Sequence, residues 1–153
     1  MELSLRPMSP EVLADYLATT FDAYRTELLE AGRSPDEADQ NIAENIERAF
    51  ADGVPINGNE LFSVLRGEQV VGVLWIAPRG PVGSWWIYDI ELEPEFRGQG
   101  LGRATMLLAE AAVRERGGTE LGLNVFGRNT TARRLYESLG YEPTSLQMRK
   151  PLT

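Results

Sequence analysis

Glu93-Pro94-Glu95-Phe96-Arg97-Gly98-Gln99-Gly100-Leu101-Gly102-Arg103 joins two stretches of opposite habit. Before it, Trp85-Trp86-Ile87-Tyr88-Asp89-Ile90-Glu91-Leu92 is rich in aromatic and β-branched residues and reads as a strand. After it, Ala104-Thr105-Met106-Leu107-Leu108-Ala109-Glu110-Ala111-Ala112-Val113 reads as a helix. The turn between them has glycine at three alternate positions, 98, 100 and 102, flanked by Arg97 and Arg103. A strand that enters a helix this way leaves backbone N–H groups exposed at the helix N-terminus, where the peptide dipoles favour an anion. Glycine lets the backbone approach that anion without a Cβ between them. A diphosphate is the expected guest.

Two common diphosphate loops do not fit. No Gly-Lys-Ser/Thr follows the turn, so it is not a Walker loop. In G-x-G-x-x-G the last position, counted from Gly98 or Gly100, falls on Arg103 or Thr105. The pattern (Arg/Gln)-x-x-Gly-x-(Gly/Ala) does fit, as Arg97-Gly98-Gln99-Gly100-Leu101-Gly102. A second signal follows. Leu121-Gly122-Leu123-Asn124-Val125-Phe126 reads as a short buried strand. Gly127 to Tyr141 then reads as a helix capped by Asn129 and stopped by Gly140. In both motifs the chain resembles the GCN5-related N-acetyltransferases over roughly residues 84–150.

That resemblance implies an α/β (α+β) fold with a mixed, mostly antiparallel sheet, splayed central strands and flanking helices. The reading along the chain gives the matching order β-α-α-β-β-β-α-β-α-β in one domain over residues 1–153. Residues 2–6 form the first strand, and Ser9-Pro10 opens a helix running to about Glu30. Ser34 opens a second helix as a capping box with Glu37, and Ala38, Ile42, Ile46, Ala49 and Phe50 keep helical spacing. Gly53–Asn59 is a loop, and strands near Leu61–Arg66 and Val70–Ala77 make a hairpin. One or two final strands are expected within Tyr141–Arg149.

Composition sets bounds. The 153 residues are 42% apolar, enough for a folded core. No apolar run approaches the ~20 residues of a membrane-spanning helix, and the N-terminus lacks a signal-peptide layout. A cytoplasmic protein is expected. With no cysteine and no histidine, disulfides, thiol nucleophiles, histidine catalysis and the usual zinc sites are excluded, and no metal is expected. The net charge of −8 is uneven: residues 1–96 hold 6 arginines and 18 acids, whereas residues 97–134 hold 7 arginines and 3 acids. That split argues against nucleic acid as a partner and suits a polyanion held by the second half. The acids of the first half read first as solvated faces of two helices, and could also attract a cationic amine.

The resemblance also assigns roles. The backbone of Ile90, Glu91 and Leu92 would pair with the pantetheine arm of acetyl-CoA as an added strand. Arg97, Gly98, Gln99, Gly100, Leu101, Gly102 and Arg103 would take the diphosphate, and Asn129 the pantetheine, beside its role as a cap. Tyr136 corresponds to the family's general acid near the sulfur, though Ala132, Leu135, Tyr136 and Leu139 also form an apolar helical stripe. The family's usual base positions hold Asn124, Trp86 or Tyr88, so Glu91, and after it Asp89, is the base candidate. By strand alternation Asp89 and Glu91 share a face with Ile87 unless a bulge intervenes. Asn124 could position a water, and Trp75, Trp85, Trp86 and Tyr88 could line an acceptor pocket.

The expected activity is acetyl transfer from acetyl-CoA to a primary amine, direct and in a ternary complex. The amine belongs to a small molecule or to a protein or peptide. The alternative is a non-catalytic acyl-CoA-binding or sensor module of the same fold; a third reading is a loop for a free nucleotide. Whether the chain acts alone or as a homodimer stays open.

Overall fold

The structure is a computed structural model and describes residues 2–153. The elements are β1 (Leu3–Pro7), α1 (Pro10–Glu30), α2 (Pro35–Ala49), β2 (Phe50–Ala51), β3 (Val54–Pro55), β4 (Glu60–Arg66), β5 (Gln69–Pro78) and β6 (Ser84–Leu92). After a single 3₁₀ turn at Pro94–Phe96 come α3 (Leu101–Glu115), β7 (Glu120–Leu123) and α4 (Thr130–Ser138). Five strands form a sheet in the order β1-β4-β5-β6-β7, antiparallel except for the parallel β6–β7 pair.

Local chemistry sets the helix starts. The Ser9 hydroxyl accepts from Val12 N at 3.3 Å, and the Ser34 hydroxyl accepts from Glu37 N at 3.1 Å. The Ser34 capping box is only half made, because the Glu37 carboxylate turns to Arg33, 3.9 Å away. The loop expected from Gly53 conceals a small hairpin, β2–β3, whose turn residues Asp52 and Gly53 have φ of 52° and 77°. Asp-Gly is the sequence signal for that turn.

Alternating side chains divide the sheet between two cores. Phe62, Val64, Leu74, Ile76 and Ile87 pack with Met106, Ala109 and Val113 of α3. Leu61 and Trp75 face the other way, against Leu13 of α1 and Ala49 and Phe50 at the end of α2. Between Trp75 and Ile76 the register slips: Trp75 pairs with Asp89 and Ile76 with Ile87, leaving Tyr88 as the extra residue. This β-bulge reverses the alternation. Ile87 lies in the α3 core and Ile90 and Leu92 pack against it, so Asp89 and Glu91 turn to the α1 face, the side of Trp75. They therefore do not share a face with Ile87.

The expected final strand is absent. Residues 142–153 are exposed, lie in no strand and make no hydrogen bond among the described residues. A strand needs a partner edge, and the tail does not reach one. Among the described residues no helix is long and apolar enough to cross a membrane.

Gly72 fixes how closely β5 and β6 approach at the loop end. A Cβ there would stand 2.3 Å from the Glu91 carbonyl oxygen and 3.2 Å from Leu92 Cδ2. Gly72→Ala is expected to destabilise the fold by about 1–3 kcal/mol through overpacking. For a chain of this size that lowers Tm by roughly 3–10 °C. A thermal melt showing no change would mean that the strands yield there.

Candidate active site

β6 is paired on both sides only at its start. Its parallel partner β7 runs from Ser84↔Glu120 to Ile87↔Leu123 and stops, while β5 continues to Leu92. From Tyr88 to Leu92 one edge of β6 is therefore free, and the strands splay. A groove of about 390 Å³ opens at the gap. Ile90, Glu91 and Leu92 form one wall, Arg97, Gly102, Thr105 and Met106 another, and Asn129, Leu135 and Tyr136 the third.

At the groove lies the start of α3, and its cap differs from those of its neighbours. Side chains cap α1, α2 and α4, whereas α3 begins at Gly100 with no side-chain cap. Ala104 N is the first amide of α3 bonded back to Gly100 O, at 3.4 Å, so the amides before it stay available to a ligand. Gly98 and Gly100 hold φ of 75° and 78°, and a Cβ at either would meet nothing within 4 Å. Gly102 serves differently: a Cβ there would lie 3.3 Å from Leu135 Cδ2, so glycine lets α4 close against α3. An open, uncapped amide cradle beside a free strand edge fits a diphosphate with an amide-bearing arm.

The loop's polar side chains brace it. Arg97 Nε donates to Leu92 O at 3.1 Å, Gln99 Nε2 to Glu95 O at 3.1 Å, and Arg103 to the Ser138 hydroxyl at 2.5 Å. Leu101 is buried in the core, so only its backbone faces the cradle. Asn129 Oδ1 accepts from Ala132 N at 3.3 Å, capping α4 and leaving its Nδ2 for a ligand carbonyl.

Tyr136 lies half-buried in the groove, edge-on to Tyr141 with ring centroids 6.2 Å apart. Burial, and then the negative charge of Asp89, push its phenol above the usual range, so it keeps its proton. On the other face of β6, Asp89 accepts a 2.5 Å hydrogen bond from the Tyr16 hydroxyl of α1. Burial raises the Asp89 carboxyl to about 6; the Tyr16 bond opposes this and the charge of Glu91 adds to it. No arginine or lysine pairs with Asp89 among the described residues. Tyr16 is likewise pushed up, by burial and then by Asp89. Glu91, by contrast, is exposed.

The aromatic wall is only partly available. Trp75 is buried and donates to Asn59 Oδ1 at 2.8 Å, and Trp85 lies in the α3 core. Arg79 lies over the Trp86 ring at 4.3 Å and over the Tyr88 ring at 5.9 Å, and Tyr88 makes a tilted contact with Trp75 at 5.4 Å. Asn124 is exposed and does not line the groove. Tyr16 escaped sequence reasoning because it lies 73 residues from its partner, on a helix with no motif of its own.

Comparison with known proteins bears on the same elements. Residues 17–141 match the model of the acetyltransferase (GNAT) family. The uncharacterized N-acetyltransferase YycN of Bacillus subtilis (strain 168) is 33% identical over 159 residues, spanning 99% of this chain and 100% of its own. A crystal structure of YycN superposes with a TM-score of 0.85 at 32% identity, covering 99% of each chain. A mycothiol acetyltransferase of Thermobispora bispora is 48% identical over 87 residues, which is 52% of this chain but 29% of that protein. AAC(6′)-Iy, solved with the bisubstrate analogue CoA-S-monomethyl-acetylneamine, shares the fold at 16% identity, with a TM-score of 0.59 over 100% of this chain and 99% of its own. The splayed strand and the glycine turn both fall inside the matched segment, a relative matches almost end to end, and so the chain belongs to the GNAT family of acetyltransferases.

Proposed function

We propose that the protein transfers the acetyl group of acetyl-CoA to a primary amine, directly and without a covalent enzyme intermediate. One observation carries the reading: a free strand edge, an uncapped helix start and a protonated tyrosine face one groove, with a half-buried carboxylate just across the same strand. When bound, acetyl-CoA supplies the acetyl group as a thioester. Ile90, Glu91 and Leu92 hold its pantetheine arm by their backbone, the turn from Arg97 to Arg103 holds its diphosphate, and Asn129 steadies the arm.

Three demands remain for this chain's own side chains. The acceptor arrives as an ammonium and must lose a proton. Asp89 suits this better than Glu91, because burial raises its carboxyl to about 6 and Tyr16 fixes its orientation. Exposed Glu91 draws the cation in instead, which deepens the acidity of the acceptor side. Tyr136 keeps its proton at Oη for the leaving sulfur. The resulting acceptor class is a cationic primary amine that reaches the face of β6 carrying Asp89 and Glu91.

A panel of amines assayed by release of free thiol tests the activity, and Tyr136→Phe tests the acid. The variant is expected to lose about 10²-fold or more in kcat, with the Kd for acetyl-CoA within a factor of about two. Acetyl-CoA binding without turnover of any amine would make the chain a binding module instead. Collapse of binding with kcat preserved would make Tyr136 a packing residue.

A further inference from the structure

Arg79 is held in place without being neutralised. It begins the turn from β5 to β6, where its backbone N donates to Ser84 O at 3.0 Å. Its guanidinium lies 4.3 Å from the centre of the Trp86 ring and 5.9 Å from that of Tyr88. Both rings stand on the α1 face of the sheet. Ile87 between them packs into the α3 core, and Tyr88 meets Trp75, whose other neighbours belong to α1 and the end of α2. The Trp86 ring lies across Gly122 of β7, where a Cβ would stand 2.7 Å from its Cζ3. That ring is the floor on which the arginine rests.

Among the described residues Arg79 forms no ion pair, and its guanidinium donates no hydrogen bond. Stacking on aromatic faces leaves the charge and the N–H fork free. It also removes rotamer freedom that a loose arginine would lose on binding a ligand. The oxygens of a carboxylate or a phosphate match such a fork two at a time. Along the same face the next charges are acidic, Asp89 beside Tyr88 and then Glu91. We infer that Arg79 selects the acceptor by binding an anionic group, carboxylate or phosphate, on the molecule whose amine lies at Asp89. The inference rests on the acetyl transfer proposed above and narrows its acceptor from a cation to a zwitterion.

The strand sets the spacing of the two charges. From Trp86 to Asp89, β6 advances three residues, and Tyr88 among them is the extra residue of the bulge. Three strand residues span about 10 Å, and a bulge shortens that to about 7 Å. An α-amino acid, with its charges about 3 Å apart, is too short to use both ends. A chain of about five methylenes between amine and anion has the required reach. The Tyr88 ring lies between the two ends and is 37% exposed, which gives that chain an apolar surface to follow. The ammonium end then meets Asp89 and Glu91, and the anionic end is drawn away from them to Arg79.

Binding measured by titration calorimetry, with coenzyme A present and no acetyl group to transfer, tests this without turnover. The probes are 6-aminohexanoate, 4-aminobutyl phosphate, the uncharged-ended 6-aminohexanamide, and glycine. The first two should bind at least about 10-fold tighter than the last two, and the tighter of them names the anion. Arg79→Ala should bring the ratio of 6-aminohexanoate to its amide to about one, with acetyl-CoA affinity and Tm as evidence that the fold persists. Arg79→Gln keeps a planar group over Trp86 and should lose the preference equally, whereas Arg79→Lys should keep part of it. Equal affinity for acid and amide overturns the inference, as does a preference that survives both Arg79→Ala and Arg79→Gln. Glycine binding as tightly as the long acid overturns it too, since both charges would then be held at one place. Thiol release from acetyl-CoA with other amines, in a protein blind to the anion, would leave the proposed acetyl transfer standing alone. Anion-dependent binding without any thiol release would remove the transfer and keep the site.

Discussion

Asp89→Asn is expected to slow acetyl transfer by 10²- to 10⁴-fold in kcat and, at the same time, to raise the melting temperature above neutral pH. The kinetic half follows from general-base catalysis, whose loss typically costs that factor. The kcat/KM profile of the native protein should rise with pH through about 6, where burial has moved the Asp89 carboxyl, and the variant should lose that limb. The stability half follows from the same burial. The folded carboxyl titrates at about 6 against an ordinary value of 3.8, so the fold prefers its protonated form. Below the unfolded value that preference costs nothing. As pH rises from there through 6 the penalty grows, reaching about 3 kcal/mol as an upper figure, and stays constant above. Asparagine removes the charge and still accepts the Tyr16 hydrogen bond, so at mildly alkaline pH a gain of about 1–3 kcal/mol is expected, or roughly 3–10 °C. Exposed Glu91 provides the contrast: Glu91→Gln should weaken acceptor affinity and keep the acid limb while moving it to lower pH, because the charge of Glu91 helps hold the Asp89 carboxyl up. A variant at 89 that keeps both kcat and its acid limb would move the base to another group.

What could be read from the chain and what could not divide along the range of the interactions. Ser9, Ser34, Asn129, Gly100 and Gly140 act within four residues of themselves, and their places at helix starts and stop are visible in local sequence. The groove residues Ile90, Leu92, Arg97, Gly102, Asn129 and Tyr136 fall into place because two motifs bracket one splay. The bulge at Tyr88 was not legible. It arises from the pairing of β6 with β5, where eight residues of β6, Trp85–Leu92, meet seven of β5, Gly72–Pro78, and no residue in either strand announces it. Everything that depends on the bulge was hidden with it, including the turn of Asp89 towards α1 and its bond to Tyr16. The tail misled in the opposite way: residues 144–149 alternate as a strand would, but alternation supplies no partner edge, and residues 142–153 lie in no strand.

Gly100→Asp is expected to weaken acetyl-CoA binding by about 10²-fold or more while the protein still folds. The φ of 78° at this position disfavours any side chain, with aspartate among the least penalised, at a cost on the order of 1 kcal/mol. Nothing lies within 4 Å of the new Cβ, so no clash adds to that cost. The carboxylate also sits at the N-terminus of α3, where the helix dipole favours it and partly offsets the strain. Those same favourable contacts are what defeat the ligand. The side chain would satisfy the amides that α3 leaves unbonded at its start and place a negative charge where the diphosphate belongs. Each hydrogen bond to a charged group is worth about 1.5–3 kcal/mol, so losing even one or two gives the expected factor. Gly100→Ala separates the contributions: it has the strained backbone but neither the charge nor the acceptor, and should lose about 10-fold or less. Titration calorimetry with acetyl-CoA on both variants, beside their thermal melts, decides the matter. Equal losses for alanine and aspartate would mean that backbone shape alone governs the site, and near-native affinity in the aspartate variant would remove the amide cradle from the account of how this protein holds its acyl donor.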